Sequence, residues 1–147
     1  MDLMTERLQS LKAGVLGGFC LFLAYLITSL LNSLVLTEHF SALNSLNIQS
    51  LDWHFLLSGS FVTFSGFLFG VTYRYIIRQD QNPHLKSGGV LAFGLVRGLT
   101  QIDVGVTFAS TIVPLIVMAT ESVFWFAIAA IALDTALQQG WIKAFRG

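Results

Sequence analysis

The Lys and Arg residues of this chain fall on one side of a hydrophobic map. Arg7 and Lys12 precede the first apolar stretch, Arg74, Arg78 and Lys86 flank the junction between the second and third, and Lys143 and Arg146 follow the last. The other two junctions hold Glu38, Asp52 and Glu121 and no basic residue, and only Arg97 lies inside a stretch. Insertion into a membrane keeps Lys and Arg in the cytoplasm, whereas acidic residues count for little. The pattern predicts an all-α, four-helix transmembrane bundle with both termini cytoplasmic.

Composition agrees. The chain is 147 residues long, 54% hydrophobic and 11% charged, with mean hydropathy +0.73. Soluble domains carry about 25% charged residues. Four spans of about 20 residues leave short loops and no separate soluble domain. The expected spans are 13–36, 53–77, 88–109 and 119–137, forming a single membrane domain over 1–147. The 37–52 loop has Phe40, Leu43, Leu46 and Ile48 spaced like one helix face, suggesting a short interfacial helix. Residues 78–87 form a polar inner loop with a turn signal at Asn82-Pro83.

The first apolar run is too long for a signal-peptide core, about 7–15 residues, and no Ala-x-Ala-like site follows it, so it reads as a retained span. The stretch from Gly88 to Met118 would measure about 46 Å as one helix at about 1.5 Å per residue, longer than a hydrocarbon core of about 30 Å. It must break, at Asp103-Val104-Gly105 or near Pro114, or else project from the membrane. Leu11–Leu16 and Leu85–Leu91 are similar and both start on the inner side, as two parallel hairpin repeats would, although apolar-rich matches of this kind arise easily by chance between two span starts.

Three spans carry glycines four residues apart: Gly14 and Gly18, Gly66 and Gly70, Gly94 and Gly98. Such pairs let helix backbones approach in lipid, where apolar burial no longer drives association. They serve a bundle, a partner helix or a homo-oligomer equally.

The polar residues inside the spans are Arg97, Gln101, Asp103 and Asp134. Arg97 and Asp134 lie on different spans at depths an arginine side chain bridges, so they are expected to pair, with Gln101 beside Arg97. Asp103 lies about 120° around the helix from Arg97, near the outer boundary. An intramembrane charge is a functional candidate by default, and a buried pair fixing helix register is the alternative.

Chemistry is sparsely represented. Cys20 is the sole cysteine, which excludes an intrachain disulfide or Cys-x-x-Cys pair, and it reads as an apolar packing residue. His39, His54 and His84 sit at span boundaries and make no facing metal or haem pair; His54 alone does not establish a chlorophyll ligand. No phosphate-binding, zinc-protease or nucleophile-elbow motif occurs. A neutral net charge argues against nucleic acid. No cofactor is expected.

Gly66–Arg78, Asn82–Gly88 and Ala92–Gly98 together resemble a family of small integral membrane proteins from cyanobacteria with plastid relatives. The resemblance covers about residues 60–105, implies a thylakoid or plasma membrane, and carries over no catalytic residue. Two functions remain open. One is a non-catalytic accessory or assembly protein packed against larger, photosynthetic membrane complexes. The other is a small oligomeric transporter or channel lined by Arg97, Gln101, Asp103 and Asp134.

Overall fold

Asp2 starts the first helix: its carboxylate accepts a 2.8 Å hydrogen bond from the Thr5 amide. That bond favours the charged form and holds the Asp2 carboxyl below its ordinary pKa. Helix α1 therefore runs Leu3–Leu31, ten residues earlier than the apolar boundary suggests, and passes into a π-helical turn at Asn32–Leu36. Helix α2 spans Trp53–Ile77, α3 Pro83–Phe108 and α4 Val113–Gln138. The computed structural model describes residues 2–36, 53–108 and 112–146; the interfacial helix expected within 37–52 lies outside them. All four helices are long and apolar enough to cross a membrane, and none of the described residues forms a strand.

The polar loop is shorter than expected. Asp80 accepts from the Asn82 amide at 2.9 Å and Asn82 accepts from the His84 amide at 3.0 Å, so α3 begins at Pro83. Proline has no amide to leave unsatisfied at that position. The break in the long third stretch falls between Phe108 and Val113, next to Pro114 rather than at Gly105. Helix α4 thus starts six residues before the expected 119. Its C-terminus closes with paired bonds, Gly140 amide to Leu137 carbonyl and Trp141 amide to Ala136 carbonyl, with Gly140 at φ 76°.

The helices pack as two hairpins. A Cβ added at Gly70 would strike the Ala13 carbonyl oxygen, and one at Gly17 the Gly66 carbonyl oxygen, so α1 and α2 touch backbone to backbone. In the second hairpin, added Cβ atoms would come within 2.8 Å of Val123 Cα at Gly94 and 3.0 Å of Ala119 Cβ at Gly98. Gly14 faces Phe67 and Gly18 faces the Thr63 carbonyl. The buried core joins Leu21, Val62, Phe69, Phe126, Ala129 and Leu133, contributed by α1, α2 and α4. Cys20 packs against this core. Helix α3 leans on α4 and touches α2 much less, which leaves a lateral cleft between α2 and α3.

Candidate functional site: two polar layers and a lateral cleft

At one end of the bundle Arg74 is buried, only 1% exposed. Its Nη2 donates to Glu6 Oε2 at 2.7 Å, its Nη1 to Ser10 Oγ at 2.8 Å, and its Nε to the Lys143 carbonyl at 2.7 Å. The Lys143 amide donates to Gln9 Oε1 at 3.0 Å, and the Phe145 ring lies 5.8 Å from the Arg74 guanidinium. One side chain ties the N-terminal helix, α2 and the C-terminal tail together. Seen in sequence, Arg74 looks like one more charge at a span boundary. Its burial becomes visible only when Glu6 and Ser10, one turn apart, are brought opposite it.

The expected Arg97–Asp134 pair does not form. Asp134 instead pairs with Lys86 Nζ at 3.2 Å and accepts from the Tyr73 hydroxyl at 2.9 Å. Helix α3 starts at Pro83, at the bundle end where Asp134 lies, and presents Lys86 at that level. Arg97 lies higher in the bundle. Its guanidinium stands 5.7 Å from the Trp125 ring, and Nη1 reaches Ser65 Oγ at 3.5 Å. Gln101 does border the same space as Arg97, and its Oε1 accepts from Ser122 Oγ at 2.7 Å. Asp103 is exposed and lines neither of the cavities beside Arg97. Trp125 is buried and donates from Nε1 to Thr28 Oγ1 at 3.2 Å.

An aromatic layer divides the two polar levels. The rings of Phe69, Phe93 and Phe126 form a triangle with centroid separations of 5.1–5.7 Å. On α2, Phe69 lies between Ser65, which meets Arg97, and Tyr73, which meets Asp134. On α3, Phe93 lies between Lys86 and Arg97; on α4, Phe126 lies between Ser122 and Asp134. Helices α2, α3 and α4 each place one phenyl ring of this triangle between the two levels.

No family model, curated protein or solved structure matches this chain. Its own geometry is the guide to what it does.

Two spaces meet at Arg97. A cleft of about 1110 Å³ opens laterally between α2 and α3, with Phe61, Leu68, Val96 and Leu115 among its mostly apolar walls. A polar cavity of about 230 Å³ lies on the other side, bordered by Tyr25, Asn32 and Glu121. Ser58, Arg97, Gln101 and Met118 line both. Among the described residues, the buried Arg97 Nε and Asn32 Oδ1 have no hydrogen-bond partner. Asn32 opens the π-helical turn, an irregularity frequent at functional sites. Among the described residues no three His, Cys, Asp or Glu side chains gather as a metal site; His54 and His84 are both exposed.

Proposed function

We propose that this chain is a non-catalytic integral membrane accessory or assembly protein that packs against larger membrane complexes. Its setting is the plasma or thylakoid membrane implied by the family resemblance. The end carrying Arg7, Lys12, Arg74, Arg78, Lys86, Lys143 and Arg146 faces the cytoplasm.

The observation that carries this reading is the aromatic layer. A transporter or channel needs its polar groups to succeed one another along a path. Here Arg97 and Gln101 lie on one side of the Phe69–Phe93–Phe126 triangle, Asp134 lies on the other, and Asp103 faces outward. The remaining surface is a set of apolar helix faces, with Phe61, Phe64, Val96, Leu99 and Ile131 all exposed, suited to lipid and to neighbouring helices.

Affinity purification of the full chain from mildly solubilised native membranes tests this. The expected result is a larger complex at fixed stoichiometry. Recovery of a homo-oligomer alone that conducts a solute after reconstitution would overturn it.

A further inference from the structure

We infer that the joined cavities at Arg97 bind an amphiphile whose head combines an anionic phosphate or carboxylate with an amine or hydroxyl donor. Its acyl chain would lie in the α2–α3 cleft. This goes beyond the accessory role, and either can hold without the other.

Arg97 supplies the anion contact. Arginine presents a planar fork of donors matched to carboxylate and phosphate. Arg97 makes no ion pair among the described residues, and one of its donors, Nε, is buried and unused. The Trp125 ring and the Ser65 hydroxyl hold the guanidinium in place from the protein side. A buried donor without a partner costs free energy, which a head-group oxygen would recover.

The other half of the head faces acceptors. Asn32 is 6% exposed and borders the polar cavity together with Glu121, and among the described residues its buried Oδ1 has no hydrogen-bond partner. Glu121 lies within hydrogen-bonding reach of the Asn32 side chain and makes no ion pair with Arg97. A purely anionic head would bring its charge toward Glu121 with nothing to give Asn32. A head that also carries an N–H or O–H donor satisfies both ends of the cavity.

Shape agrees with this chemistry. The polar cavity lies toward the bundle end that carries Asn32, while the cleft extends along α3 from Gly105 down to Ala92. A lipid entering sideways would therefore sink its head to the level of Arg97 and run its chain toward the opposite end.

Trp125 provides the readout. In full-length protein with Trp53→Phe and Trp141→Phe, both at exposed positions, the remaining indole beside Arg97 reports a spin-labelled phosphatidylethanolamine by quenching in neutral detergent micelles. Saturable quenching is expected, and it should be about tenfold weaker for spin-labelled phosphatidylcholine, which lacks the N–H donor. Arg97→Gln should weaken it by a similar factor. Val96→Phe in the same single-tryptophan background should block the cleft and weaken Trp125 quenching while leaving Arg97 in place, which covers the case of an unfolded Arg97 variant. A single-chain lysolipid that binds with the same head preference supports the inference and identifies the source as single-chain. Equal binding of both head groups would overturn it. So would unsaturable quenching, including the case where a crosslinker at Val96 captures a partner transmembrane helix instead.

Discussion

The Tyr73 hydroxyl donates a 2.9 Å hydrogen bond to Asp134, and with Lys86 it holds that carboxylate on the opposite side of the Phe69–Phe93–Phe126 layer from Arg97. The two charges therefore belong to different structures: Asp134 to a lock with Tyr73 and Lys86, Arg97 to the cavity.

Their independence is measurable. Arg97→Leu and Asp134→Leu should change thermal stability in detergent additively, within about 0.5 kcal/mol. Lys86→Leu and Asp134→Leu should instead couple. That coupling will be modest, because the Lys86 and Asp134 side chains remain 20% and 23% exposed. Rescue of Asp134→Leu by Arg97→Leu would show that the two charges meet after all.

Arg74 should be the most sensitive charge in the chain. Arg74→Ala leaves Glu6 partly buried without its cation and frees the tail from Lys143 onward, and unpairing such a charge costs about 3–5 kcal/mol. Arg74→Lys should fail to restore stability, since one ammonium cannot reproduce the three-way fork to Glu6, Ser10 and Lys143. Limited trypsin digestion at Lys143 should accelerate in both variants, and unchanged digestion would mean that the tail is held by other contacts.

The glycines separate by what they face. Gly70→Ala must push α1 from α2 against the Ala13 carbonyl, with an expected loss of about 1–3 kcal/mol. Gly88→Ala meets nothing within 4 Å and should be neutral or slightly stabilising, since alanine is the better helix former. Melting curves of the two variants give the comparison; equal behaviour would mean that the α1–α2 contact tolerates separation.

Much of the fold was legible because insertion chemistry writes itself into composition. Apolar length set the number of helices, and the second helix, Trp53–Ile77, matches its expected span. The outlying boundaries were less visible because local caps decided them: Asp2 and Pro83 extend helices into sequence that hydropathy treats as tail and loop. The Arg97–Asp134 pairing failed for a similar reason. Depth along a span says nothing about rotation or about which other residue reaches the same level, and Lys86, counted as a loop residue, lies one turn inside α3. The aromatic layer had a faint signal, with Phe69 four residues from both Ser65 and Tyr73 and Phe93 four from Arg97. That spacing acquires meaning only once three helices bring the rings together.

The four-crossing topology underlies every other conclusion, and accessibility labelling tests it directly. In a Cys20→Ala background, single cysteines at Ser45, between α1 and α2, and at Ile112, between α3 and α4, should react with an impermeant maleimide added to the outside of intact cells. A cysteine at Gln81, between α2 and α3, should react only after the membrane is opened. Labelling of Ser45 and Gln81 from the same side would contradict the four-span bundle.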